Sequence, residues 1–228
     1  MSNSTTLWGT LISVSLLASA CSKDVALEPE FNEQSLRGKP SKTEAPVSKQ
    51  FRMSAKTWYR VDNTQPAPVA EMPGTISFAH LPGAGSGSAL NMGNIGTWFN
   101  QLAFSPTGEA PWTGTVATPL VEASTYPQEG LHSLATITNW LQIPASVDGN
   151  VIWSVVYNGG GDAVFLAMTG HSTSVVESAN RISFSGDGIF VGGRGKFENA
   201  SGTYHFTGYL NPNDPNDGEY AIDGTISY

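Results

Sequence analysis

The side chains best suited to acid–base or metal chemistry in this sequence are four histidines: His80, His132, His171 and His205. No two stand at the short spacing that lets one element present both to a metal, so no zinc site is expected. Cys21 is the single cysteine, which leaves no intramolecular disulfide and no thiolate cluster. A hydrolase nucleophile would need a Gly-x-Ser-x-Gly elbow, and Gly85-Ser86-Gly87-Ser88 has the wrong register for one. The glycines of the stretch Gly192-Gly193-Arg194-Gly195-Lys196-Phe197-Glu198-Asn199-Ala200-Ser201-Gly202 suggest a phosphate loop. Glu198 stands where its third glycine belongs, and no helical pattern follows. The oxygen-rich run from Asn211 to Glu219 lacks the ligand spacing of a calcium loop and reads as a hairpin turn. No cofactor and no metal are expected.

Charge narrows the partners. Residues 22–60 carry eight Lys/Arg against five Asp/Glu, whereas the chain from residue 61 carries three against fourteen. Such an acidic region repels phosphates, so nucleic-acid binding is not expected.

The elements that must position these residues are short and β-like. Gly (25) and Pro (14) are frequent in the 228 residues, and strand formers dominate the second half. Strands are expected near residues 57–61, 74–81, 88–92, 95–104, 112–118, 135–141, 151–157, 163–168, 174–176, 181–184, 203–210 and 220–228. The prolines of 64–73 require a loop, and 119–131 reads as an irregular insertion. The last strand alternates most clearly. Tyr220, Ile222, Ile226 and Tyr228 share one face, and Asp223, Thr225 and Ser227 share the other. On the strand before it, Tyr204, Phe206 and Leu210 oppose Thr203, His205 and Thr207, which makes His205 a solvent-facing histidine. Strands of this kind form an antiparallel sheet, and closing it removes its edges.

Residues 7–20 are apolar or small and too short for a comfortable membrane span. They end in Leu17-Ala18-Ser19-Ala20-Cys21, which resembles the lipobox of bacterial lipoproteins, although residues 1–8 lack Lys and Arg. The resemblance implies a signal peptide over 1–20, lipidation of Cys21, and anchoring to the membrane of the cell envelope. Ser22 points to the outer membrane. The polar, proline-containing segment 21–50 reads as a flexible tether, which makes 51–228 the folded domain.

Gly192, Gly193, Gly195, Phe197, Ala200 and Gly202 together resemble the signature of the allene oxide cyclase and dirigent barrel superfamily. Gly224-Thr225-Ile226-Ser227-Tyr228 is similar to the chain end of its secreted bacterial branch. Gly87 to Gly93 and Asp148-Gly149-Asn150 are similar to further parts of that branch. The resemblance covers residues 180–228 well and implies an all-β fold, a single antiparallel eight-stranded calycin-like barrel. It implies no one activity, because the superfamily joins a cyclase, non-enzymatic proteins and uncharacterised lipoproteins. Gly96-Thr97-Trp98-Phe99-Asn100-Gln101-Leu102 is also similar to the first strand of streptavidin-like biotin binders. In that family the asparagine donates to the ligand, but Phe104 and Val116 replace its serine and tyrosine partners.

A barrel of eight strands either fills with side chains or holds one small ligand. Trp98, Asn100, Trp140, Trp153 and Tyr157 are the residues expected to line such a ligand. The leading expectation is a non-enzymatic envelope lipoprotein that binds a small apolar molecule or acts as a structural or interaction module. The alternatives are a cyclase or isomerase, which would place His80, Glu109 or Asp162 inside the lumen, and a biotin-type binder.

Overall fold

The computed structural model describes residues 47–60, 76–105, 112–123 and 132–228. Cys21, the segments 1–20 and 21–46, the loop 64–73 and Glu109 lie outside these residues.

The described residues form twelve strands: β1 (Ser48–Tyr59), β2 (Ile76–His80), β3 (Gly83–Ala89), β4 (Gly93–Phe99), β5 (Gln101–Ser105), β6 (Gly114–Ala117), β7 (Ser146–Val147), β8 (Asn150–Asn158), β9 (Ala163–Ser178), β10 (Arg181–Arg194), β11 (Ser201–Asn211) and β12 (Asp214–Ser227). Eight of them close a fully antiparallel barrel in the order β1-β3-β4-β8-β9-β10-β11-β12, with β12 paired back to β1. A small second sheet, β2-β5-β6, branches from the far half of β9 through the Val116–His171 pairing. β1 starts three residues before the expected domain boundary at Phe51. Its Phe51, Met53, Ala55, Thr57 and Tyr59 point inward, while Arg52, Ser54 and Lys56 point to solvent.

β3 starts at Gly83 where a strand was expected only from residue 88, and β10 runs to Arg194 where 181–184 was expected; three further departures change the elements themselves. Residues 135–141, expected as a strand, form helix α1 (Leu134–Leu141). The Ser133 side chain caps it by accepting from the Thr136 amide. Leu134, Ile137 and Leu141 then share one buried face at helical spacing. Trp140 therefore lies on a helix outside the barrel and not in its wall. The expected single strand 95–104 breaks at Asn100, where the chain leaves the barrel (β4) for the side sheet (β5). The expected short strands 163–168 and 174–176 are one strand, β9, which passes an irregularity at Gly170 (φ +74°).

Two cores result. The first is the lumen, filled by Phe51, Phe99, Trp153, Phe190, Tyr204, Phe206, Tyr220 and the aliphatic residues among them. The second lies on the outer wall, where Trp98, Val155, Tyr157 and Phe165 pack beneath Leu120 and α1. β4 and β8 are consequently buried on both faces along most of their length.

Candidate functional site

The lumen is the place where a calycin-like barrel would hold a ligand, and here it is closed by its own side chains. Trp153 touches Phe206, Tyr220 and Phe99 at ring-centroid separations of 5.2, 5.8 and 6.5 Å. Tyr204 joins the cluster through Phe190 at 5.1 Å. The Trp153 indole N–H donates to the Tyr204 hydroxyl (3.1 Å), which in turn donates to the Ala167 carbonyl (2.9 Å). Both polar tips are thereby satisfied at the centre of an apolar core. The Tyr220 hydroxyl meets only the Ser154 hydroxyl, without good hydrogen-bond geometry. Burial pushes the Tyr204 and Tyr220 phenols well above the ordinary tyrosine range. Burial therefore holds both in the neutral, protonated form.

Glycines in the wall make room for the rings. A Cβ on Gly188 would stand 2.2 Å from Tyr204 Cζ, and one on Gly208 would stand 2.4 Å from Phe184 Cζ. At the end of the lumen lined by Thr57, Tyr59, Phe99, Gln101, Phe184 and Leu210, about 10 Å³ of space remains. That is the volume of one water at most.

The residues expected to line a ligand do not converge. Only Trp153 reaches the lumen, where it is part of the plug. Trp98 is buried under α1 on the outer wall and donates to the His132 carbonyl. Asn100 is fully buried outside the lumen cluster, and its amide donates one bond to the Pro119 carbonyl (3.0 Å). Tyr157 lies on the outer wall and Trp140 on α1, in contact with each other at 6.3 Å.

The ionisable candidates are outside the lumen too. His80 ends β2 in the side sheet. Asp162 occupies the β8–β9 turn, where it pairs with Lys196 (3.3 Å). Burial alone would raise its carboxyl, but bonds from the Lys196 amide and Asn158 and the Lys196 charge hold it below the usual range. His132 and His171 are exposed. His205 is exposed on β11 beside Asp187 (2.8 Å). It belongs to a row of alternating acidic and basic side chains, Asp187–His205–Asp223–Arg52, set in register across β10, β11, β12 and β1. Such exposed pairs contribute little stability. They border a shallow outer groove of about 740 Å³ floored by Ser54, Ser88 and Ala221. Among the described residues no cluster of His, Cys, Asp and Glu could hold a metal ion.

The glycine-rich corner is structural in every residue. Gly192 adopts φ +97° and Gly195 φ +61°, and the Gly192 amide donates to the Ala200 carbonyl (2.7 Å). Gly193 lies against the Ala163 carbonyl and Gly202 against the Thr225 carbonyl, with no room for a Cβ at either. Phe197 and Ala200 are buried, and Phe197 packs on Tyr228 at 4.5 Å. Arg194 donates to the carbonyls of Leu141 (2.5 Å) and Gln142 (2.8 Å), adding to the bonds that the Gln142 side chain makes to the Asn139 carbonyl and the Ile143 amide to the Thr138 carbonyl at the C-terminus of α1. Lys196 donates to the Asn91 carbonyl (2.6 Å) and pairs with Asp162. Two of the three bases beyond residue 60 thus pin the helix and two hairpins to the barrel.

Fold and interior together define a closed antiparallel barrel with a self-filled lumen, a side sheet and a helix on its outer wall. No protein-family model, curated protein or solved structure matches the chain.

Proposed function

We propose that this protein is a lipid-anchored barrel of the bacterial cell envelope that works without catalysis, by presenting its outer surface as a structural or interaction module. The carrying observation is the filled lumen. Trp153, Tyr204, Phe206 and Tyr220 pack into one aromatic cluster, and the pocket at the Tyr59 end of the lumen holds about 10 Å³, so the described interior leaves little room for an apolar ligand or a reacting group. This favours the surface role over the lumen ligand, the cyclase or isomerase and the biotin-type site. Membrane attachment rests on Cys21 within Leu17–Cys21. Kinship with the allene oxide cyclase-like barrels rests on the corner motif and the chain end.

The test is cell fractionation with a labelled fatty acid. The wild-type chain is expected in the outer-membrane fraction carrying label, and Cys21→Ser is expected unlabelled and released from it. An unlabelled wild-type chain in the soluble fraction would sink the anchor.

A further inference from the structure

The sheet register orders the outer face of β9, β10, β11, β12, β1 and β3 into rows. Thr173, Ser185, Thr207, Ala221, Ser54 and Ser88 stand side by side across these six strands. All six side chains are short. They floor two shallow grooves, of about 740 and 340 Å³, that share Thr207 and Ala221 and so form one trough. Longer side chains wall it on both sides, two residues further along each strand. One wall is the row Asp187–His205–Asp223–Arg52, in which every side chain is more than half exposed. Within the chain its members pair as Arg52 with Asp223 (2.7 Å) and His205 with Asp187 (2.8 Å). The other wall is the row Ser183–Tyr209–Glu219–Lys56, with the Glu177 carboxylate bound by the Ser183 hydroxyl (2.6 Å).

We infer that this face docks on the same face of a second copy of the chain, about a two-fold axis that runs along the strands between β11 and β12. A row of four alternating acids and bases is complementary to its own reverse, and this axis reverses each row. Asp187 then meets the partner's Arg52, and His205 meets the partner's Asp223. The same operation sets Thr207 on the partner's Ala221, Ser185 on the partner's Ser54 and Thr173 on the partner's Ser88. Short side chains face short ones, so the two sheets approach closely in an aligned, isologous packing. In the second wall Lys56 meets the partner's Ser183 and the carboxylate bound there. An axis across the strands would instead set acid on acid and base on base. The rows span about 24 Å across the strands and about 14 Å along them. That is less than the ~800 Å² a stable dimer buries on each partner. The pair is therefore weak and reversible, separating on dilution. The inference deepens the surface role proposed above and rests on it, because a lipid anchor raises the local concentration that a weak contact needs.

The experiment is sedimentation equilibrium of the full chain in detergent, over a series of concentrations up to about 1 mM. A reversible monomer–dimer equilibrium is expected. Arg52→Glu alone and Asp187→Arg alone should each weaken it by at least about tenfold, because each turns two ion pairs across the axis into two like-charge contacts. An equal mixture of the two variants should pair again, since the new carboxylate of one chain then faces the new guanidinium of the other. Positions 52 and 187 lie three strands apart, about 14 Å, within one chain, so only a contact between chains restores the pairing. Melting temperatures near wild type would show that both variants fold. A monomer at every concentration would overturn the inference and leave the face to a different protein. Unchanged association in the single variants, or no recovery in their mixture, would overturn it as well. The anchor is read separately by fractionation: its failure leaves association in solution intact, and a monomer in solution leaves the anchor intact.

Discussion

Replacing Gly188 with alanine probes the filled lumen from inside. The new methyl group would lie 2.2 Å from Tyr204 Cζ, 2.3 Å from its hydroxyl and 2.5 Å from the Ala167 carbonyl oxygen. Tyr204 cannot swing aside cheaply, because its hydroxyl is held by both Trp153 and Ala167. Overpacking of this kind costs about 1–3 kcal/mol, and the anchored ring places Gly188→Ala near the upper end. Alanine in a strand interior recovers about 0.5–1 kcal/mol of backbone entropy relative to glycine. A net loss of about 2 kcal/mol is expected, or roughly 4–8 °C in melting temperature for a chain of this size. Gly159 is the control, since a Cβ there meets nothing within 4 Å. Gly159→Ala should leave stability unchanged or raise it by up to about 1 kcal/mol. Urea unfolding of both variants measures the difference. If Gly188→Ala behaves like Gly159→Ala, the ring has room to move and the lumen is not filled.

Three further outcomes follow from the same contacts. Tyr204→Phe should cost about 2 kcal/mol in urea unfolding, because it leaves the Trp153 N–H buried without its partner and removes the bond to the Ala167 carbonyl. Stability should also fall at alkaline pH. Burial raises the phenols of Tyr157 (to about 12), Tyr204 and Tyr220 above the value of 10.0 expected in the unfolded chain. Their stabilising effect is complete below pH 10 and lost as the pH climbs through the folded values. With all three ionising only on unfolding, the slope is about 4 kcal/mol per pH unit above pH 10, measurable as denaturation midpoints against pH. A flat profile there would mean that the rings are reached by solvent. Arg194→Ala should loosen the C-terminus of α1 and cost about 1 kcal/mol, with faster amide exchange in α1 than in β11.

Much of the barrel can be read locally. On β12 the inward residues Tyr220, Ile222, Gly224 and Ile226 alternate with polar ones because only one face of that strand is buried. The corner was legible for the same reason, since positive φ and close backbone approach leave few residues other than glycine. The ligand-lining residues were not. β4 and β8 are buried on both faces, inward by the lumen and outward by α1, so their apolar runs carry no sign of direction. Trp98 and Tyr157 point outward there, and an irregularity between Ile152 and Ser154 turns Trp153 inward. Helix α1 was hidden because Ala135-Thr136-Ile137-Thr138 alternates like a strand. Its Ser133 cap and the spacing of Leu134, Ile137 and Leu141 were the signals that outweighed this pattern. The destinations of Arg194 and Lys196, carbonyls 53 and 105 residues away in sequence, depend on tertiary packing that no local pattern encodes.

Native mass spectrometry of the protein extracted from membranes tests the central claim most directly. The expected mass is that of the lipidated chain alone, because Trp153, Tyr204, Phe206 and Tyr220 occupy the space a lumen ligand would take. A reproducible co-purified apolar molecule, lost when Trp153 is changed to alanine, would contradict it.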